Sequence, residues 1–265
     1  MGIVKRFAKW IHKVMPDGDF KRKLSAFGYR RFYGKALKTY RYEKGVFTAV
    51  FRDGIEVKSI ADFDPEAIIT NLLDCPVEEG WSVMDWGGHY GLVSVYLSKK
   101  VGPSGKVFVF EADPKNYEIL KKNLELNGVT NTLAIEKGVF DQTGFLEFYS
   151  GGGYTSSFQK TDYVERDQER YVVARVPVVS LDEAAAEIGL DRLNLIKIDI
   201  EGSELPALKG AKASLVKFHP LLLIETHVVN GEPTADNVIG LLKTVGYEDI
   251  VVENTYYGLP FIRAI

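Results

Sequence analysis

The sequence predicts an α/β protein of the doubly wound type, with helices on both faces of a mostly parallel sheet. Three observations lead there. From Trp81 onward, short apolar runs of strand length alternate with longer stretches of helical period. Runs such as KVFVF, LNLIKI and PLLLI are apolar almost throughout, as strands buried on both faces are. Acidic and glycine residues gather where those runs end, and sheets of this kind bind ligands at the carboxyl ends of their strands.

At the amino end, Ile3, Val4, Phe7, Ile11 and Val14 fall on one stripe of a helix over residues 3–14, with Lys5, Lys9 and Lys13 off it. The stretch KRKLSAFGYRRFYGKALKTYRY then interleaves basic and aromatic residues. GVFTAVF and IEVKSI flank Arg52-Asp53-Gly54, and an Asp-Gly step between such runs predicts a β-hairpin. Asp64-Pro65-Glu66 reads as the capped start of a helix running to about Asp74. These pieces form a basic helical and hairpin extension over residues 1–78, ahead of a main domain over 79–265. In that domain SVMDW, KVFVFE and TLAIEKGVF are strands. GLVSVYLSKKV and PKNYEILKKNLELNG are the helices between them, the second ended by Asn127-Gly128. FLEFYS and YVVARVPVVS are β extensions around the polar, glycine-rich segment 151–170. LNLIKIDI and PLLLIETH are buried strands, joined through a helix from Ser203 that tolerates Pro206 in its first turn. After the helix TADNVIGLLKTVG, EDIVVEN and YGLPFIRAI close the chain as an antiparallel pair.

With 265 residues, 46% of them hydrophobic, the chain fills a sizeable core. No window approaches the roughly 18 apolar residues of a membrane span. The first residues are basic but lack an apolar signal core, and Arg6 stands where a myristoylation signal has Ser or Thr. Neither secretion nor lipidation is therefore expected. Cys75 is the only cysteine, which excludes a disulfide within the chain and fits a cytoplasmic protein. The net charge of −3 conceals an asymmetry, because residues 1–44 carry +10 and the remainder −13. Such a segment meets an anionic partner, for instance the inner surface of a membrane, or packs on the acidic surface of its own chain or of a second copy in a homo-oligomer.

Five motifs carry chemistry. In VMDWGGHYG a buried strand delivers Asp85, and Gly87, Gly88 and Gly91 let the backbone turn tightly beside a ligand, or serve as a structural turn. A dinucleotide fingerprint G-x-G-x-x-G fails here, since its first glycine falls on Trp86. Asp85 suits a cationic amino-acid group better than a pyrophosphate. In FEADP, Glu111 ends a strand 20 residues after Gly91, where an acidic side chain accepts hydrogen bonds from ribose hydroxyls; Asp113 is the better cap for the following helix. In KGVFD, Asp141 either holds an adenine amine, with Val139 and Phe140 beside the ring, or begins a surface turn. LIKIDIEGSE gathers Asp199, Glu201 and Glu204 at one strand end, more carboxylates than a helix dipole needs. In LLIETH, Glu225 and His227 share one face of a strand end, and a His beside a carboxylate is a candidate general base.

Taken in order, DWGGHYG, FEADP, GVFD, TSSF, VVSLDE, IKIDIEGSE and IETH resemble the FkbM family of methyltransferases over about residues 81–228, and IDIEGSE is the most specific block. The resemblance implies a class I, Rossmann-like methyltransferase fold with a seven-stranded sheet. It implies S-adenosyl-L-methionine as cofactor and transfer to a hydroxyl of a polyketide, sugar or other glycan-related acceptor. The cofactor-binding set is then Asp85, Gly87, Gly88, His89, Gly91, Glu111, Ala112 and Asp141. The family usually has Asp-x-Gly-Ala-Asn-x-Gly in the first loop, whereas Gly88 and His89 stand at the Ala and Asn positions here; His89 replaces the Asn contact or simply packs.

The expected reaction is in-line displacement at the sulfonium methyl by an acceptor oxygen, with alignment supplying much of the acceleration. Asp199, Glu201 or His227 takes the hydroxyl proton. No metal is assigned, although oxygen ligands so grouped also suit a divalent ion. Two other classes fit parts of the sequence. The basic aromatic arm suggests a nucleic-acid methyltransferase, but the main domain is acidic and has no Asn-Pro-Pro-Tyr-type loop, so no stable nucleic-acid partner is expected. A non-catalytic binding protein would need a damaged cofactor loop, to which only His89 points.

Overall fold

The computed structural model describes residues 18–32, 34–65, 68, 72–151, 156–159, 161, 164, 169, 171–254 and 260–265. The helical stripe expected over residues 3–14 lies outside them, as do residues 66–67 and 69–71 of the helix expected from Asp64 to Asp74 and much of segment 151–170. The described chain opens with α1 (Asp19–Phe32), followed by a meander of β1 (Leu37–Glu43), β2 (Val46–Phe51) and β3 (Glu56–Ser59). The Asp53-Gly54 hairpin forms as expected: Gly54 is left-handed, and the Asp53 carboxylate caps Ile55 N at 3.1 Å. The meander has three strands rather than two, the third turning at Lys44-Gly45, both left-handed. A bulge between Leu37 and Thr39 breaks the alternation in β1, and exposed Lys38 and Arg41 disguise it as a basic run.

The main domain continues with β4 (Ser82–Trp86), α2 (Leu92–Val101), β5 (Lys106–Phe110), α3 (Pro114–Leu126), β6 (Thr132–Ile135), β7 (Gly138–Val139), β8 (Gly144–Ser150) and β9 (Val172–Val179). Then come α4 (Leu181–Glu187), β10 (Leu195–Ile198), α5 (Glu204–Lys209), α6 (Lys212–Phe218) and β11 (Leu221–Glu225). The chain ends with β12 (Val228–Val229), β13 (Glu232–Pro233), α7 (Ala235–Thr244), β14 (Ile250–Asn254) and β15 (Pro260–Ala264). Seven strands form the central sheet in the order β14-β15-β11-β10-β4-β5-β6, with only β15 antiparallel to its neighbours. From β4 the chain winds outward through β5 and β6, then returns to the other side of β4 with β10 and β11. The two connections leave in opposite directions, which opens a crevice at the carboxyl ends of β4 and β10. The run TLAIEKGVF is two strands, not one. Glu136 and Lys137 interrupt it, and β7 leaves the main sheet to pair with β9 beside β8.

Alternation along the central strands feeds two cores. Val83, Val107, Val109, Leu195 and Leu223 face α2, with Val95, Tyr96 and Leu97. Met84, Trp86, Phe108, Phe110, Ile196, Ile198, Leu222 and Ile224 face the other way, onto Leu181, Leu208, Leu215 and Leu242. Phe47, Phe51 and Val57 of the amino-terminal meander are buried in the first of these cores, so the extension shares its packing with the main domain. Each such side chain contributes about 1.5–3 kcal/mol. Phe51 meets Tyr96 edge-on at 5.4 Å, and the Tyr96 hydroxyl donates to Asp53 at 2.6 Å. Asn127 clasps β3 by accepting from Lys58 N (2.9 Å) and donating to Lys58 O (2.7 Å). No helix among the described residues is long and apolar enough to cross a membrane.

Candidate active site

The crevice is shaped by the turn after β4. Gly87 N and Gly88 N both donate to the Phe110 carbonyl, at 3.0 and 2.9 Å. Gly87, His89 and Gly91 take left-handed φ values of 81°, 48° and 78°, a region glycine adopts without strain and in which Asn and His are enriched. That shared tolerance explains how His89 stands at the family's Asn position. Neighbouring protein atoms alone already demand glycine at positions 87, 88 and 91. A Cβ on Gly87 would lie 1.9 Å from the Asp199 carbonyl oxygen. On Gly88 it would lie 2.2 Å from Val109 Cγ2, and on Gly91 2.9 Å from Leu120 Cγ.

Asp85 also departs from expectation. It is fully buried behind the turn and does not line the cavity. Ser94 Oγ donates to one of its oxygens at 2.6 Å, and Lys197 Nζ lies 3.4 Å from the other. Its position supports a role in holding the turn rather than direct contact with a cofactor amine. Burial raises its pKa, against the pull of Lys197 and Ser94. Lys197, opposite Asp85 in the β4–β10 register, also lies 3.5 Å from Asp199 and donates to the Gly87 carbonyl at 3.4 Å. Burial opposes its charge, but Asp199 and Asp85 outweigh burial and hold the ammonium above its usual range.

An open-sided cavity lies at the crevice. Gly87, His89, Glu111, Ala112, Asp199 and Glu201 line it, together with Phe110, Val139, Phe148 and Phe158, whose apolar faces suit a flat ring. The Glu111 carboxylate accepts from His89 N at 2.6 Å and from Asp113 N at 2.8 Å. Each oxygen keeps a further lone pair for a hydroxyl donor. Burial raises the Glu111 carboxyl to about 7, against those two amide bonds. Burial also lowers the His89 imidazole to about 3, so it stays neutral. Asp113 caps α3 by accepting from Lys115 N at 2.9 Å. Asp141 is exposed in the turn before β8 and does not line the cavity, whereas Gly138 and Val139 of the same run do.

The end of β10 supplies the second group. Glu201 is left-handed (φ 52°), which swings its side chain toward His227, and Asp199 reaches the same point. His227 Nε2 lies 3.5 Å from Glu201 Oε2 and 3.8 Å from Asp199 Oδ1. His227 Nδ1 meets Glu204 Oε1 at 2.9 Å. Glu204 is fully buried and also accepts from Ile200 N and Gly202 N, so it ties the loop and the imidazole together. Burial works against charge on His227, but Glu204 and Glu201 hold its pKa well above the ordinary value. Burial raises the Glu201 carboxyl, opposed by His227.

The family model of the methyltransferase FkbM domain matches residues 85–248, more than half of the chain. The chain belongs to the FkbM methyltransferase family. Methyltransferase 1 of Beauveria bassiana is 27% identical over 150 residues, covering 51% of this chain and 60% of that protein. Methyltransferase sdnD of Sordaria araneosa is 26% identical over 192 residues, covering 63% and 73%. The chain thus spans less than two thirds of the first of these relatives. Among solved structures, the FkbM methyltransferase of Methylobacillus flagellatus shares the fold, with a TM-score of 0.51 at 16% identity over 98% of this chain and 58% of that one. By family and fold this is an S-adenosylmethionine-dependent methyltransferase domain of class I.

In the FkbM domain one cavity gathers most of the expected residues; Asp85, Gly88, Gly91 and Asp141 stay off its wall, and His227 stands behind Asp199 and Glu201. Lys197 was not among the expected residues. A lysine inside the apolar run LNLIKIDI is its signal, since a charge in a buried strand needs partners. Phe158 closes the motif TSSF, but only the tertiary structure shows its ring packed on Phe148, 4.8 Å away.

Proposed function

We propose that the FkbM domain transfers the methyl group of S-adenosylmethionine to a hydroxyl oxygen of a sugar, glycan or related small-molecule acceptor. The observation that carries this reading is one cavity lined both by Glu111 and by Asp199 and Glu201. Glu111, held by two backbone amides, is suited to accept the ribose hydroxyls. Phe110, Val139 and Phe158 are suited to the adenine. The acceptor oxygen bonds to the methyl carbon as the carbon–sulfur bond breaks, leaving S-adenosylhomocysteine. Asp199 and Glu201, which line the cavity, are suited to take the hydroxyl proton, with His227 behind them to receive or share it. Beyond the cavity, the +10 charge of residues 1–44 and the exposed Phe20 and Phe27 on α1 support contact with an anionic surface. Calorimetry should give micromolar binding of the cofactor, roughly −8 kcal/mol. A mass-spectrometric screen of sugar and lipid-linked glycan acceptors should then find methylated hydroxyls. Methyl transfer only to nitrogen-bearing acceptors would overturn the oxygen assignment.

A further inference from the structure

We propose that Asp199, Glu201 and His227 form a binding site for a small divalent cation at the carboxyl ends of β10 and β11. The inference builds on reading this cluster as the acceptor side of the transferase. One ligand atom from each residue lies within 4.8 Å of the other two. The contacts of His227 Nε2, 3.5 Å to Glu201 and 3.8 Å to Asp199, are long for hydrogen bonds. They match ligands around one ion. On bonds of about 2.1 Å, two ligands stand about 3.0 Å apart at right angles and about 4.2 Å apart across the ion.

Two further observations point the same way. His227 is 5% exposed, and Glu204, with zero exposure, sets its Oε1 2.9 Å from Nδ1 to accept a hydrogen bond there. That is the carboxylate–histidine arrangement that sets the tautomer of a metal ligand and aims the Nε2 lone pair at the ion. Glu201 Oε2, facing that nitrogen, is buried and receives no hydrogen bond among the described residues. Two carboxylates and one imidazole therefore converge on a single point. The neighbouring cation, Lys197, is already engaged by Asp85, Asp199 and the Gly87 carbonyl. Two carboxylates and one imidazole suit Mn²⁺ or Mg²⁺, with the remaining positions open to the cavity that Asp199 and Glu201 line. An acceptor hydroxyl bound there would meet a Lewis acid that makes its proton easier to lose.

The probe is Mn²⁺, titrated into the chelator-treated full chain and followed by electron paramagnetic resonance and calorimetry. One equivalent should bind. Glu201→Gln and Asp199→Asn should each weaken binding at least tenfold, and Glu204→Gln about tenfold through the ligand it orients. Asp236→Asn, exposed on α7, should bind as the wild type. Circular dichroism and the melting temperature verify that each variant is folded, and the two carboxylate variants carry the test if a third fails to fold. Absence of stoichiometric Mn²⁺ binding by the folded wild-type chain, or unchanged binding in both carboxylate variants, overturns the site. S-adenosylmethionine titrated into the same samples separates the two conclusions. Normal cofactor binding without Mn²⁺ uptake removes the cation and leaves the transferase, whereas absent cofactor binding strikes the transferase reading itself.

Discussion

The carboxylates near the turn after β4 and those at the end of β10 are equally acidic in sequence and opposite in environment. Glu111 and Asp85 are each provided for: two amides hold the first, and a hydroxyl and an ammonium hold the second. Asp199, Glu201 and Glu204 crowd around one imidazole, with Lys197 as the nearby fixed charge. Glu111 is suited to bind, because two amides orient its carboxylate before a ligand arrives and each oxygen keeps a lone pair. The crowded side stores charge that a proton, a cation or a reacting hydroxyl relieves, and that is the side suited to chemistry.

The severest way to break this contrast is to remove the charge the two sides share. Lys197→Met leaves Asp85 buried without its cation, and breaking a buried pair costs about 3–5 kcal/mol. Urea denaturation should show that loss; a wild-type midpoint would mean that Asp85 does not depend on Lys197. Next in size are the crowded-side variants. At least one of Asp199→Ala, Glu201→Ala and His227→Ala should lower turnover by about two orders of magnitude, the worth of a positioned base, with cofactor affinity within a few-fold. Full activity in all three would leave the crowding without a catalytic purpose.

Glu111→Ala should do the reverse, lowering cofactor affinity about tenfold or more, since hydrogen bonds to a charged group are worth about 1.5–3 kcal/mol. If the folded variant binds normally, the ribose lies elsewhere. The pH dependence sharpens the same point. Burial places the Glu111 carboxyl at about 7 in the folded chain, above its ordinary 4.5. Its contribution to stability is therefore full below about 4.5 and lost as pH rises through about 7. On the proposed ribose contact, protonation of this carboxylate should lower affinity about threefold from pH 7.5 to 6.5, and Glu111→Gln should flatten that slope.

The smallest expected effect lies outside both sides. Vesicle co-sedimentation should show the full chain binding anionic lipid at low salt and losing it as salt rises, since exposed charges are screened beyond about 8 Å at physiological ionic strength. A chain without its first 20 residues should bind more weakly. The described part of the segment also has an internal task, because the Tyr42 hydroxyl accepts from Arg22 and donates to Asp19 of α1 at 3.0 Å each. If neither form binds vesicles and the shorter one unfolds, the segment is structural.

Much of this molecule is local information. Alternating apolar runs determined the strands, Asp53-Gly54 a hairpin and Asp113-Pro114 a helix start, because backbone preference and capping act over a few residues. The motif order by itself determined the family and the class of cofactor. Tertiary structure alone decided the partners. It placed Lys197 opposite Asp85, filled the space beside Gly88 with Val109 and Leu120, and left Asp141 on the surface. It also set His227 between Glu204 and Glu201, 23 residues from the first of them in sequence. Such contacts depend on strand order and register across the sheet, and the energy of a buried charge depends on what stands beside it in space rather than along the chain.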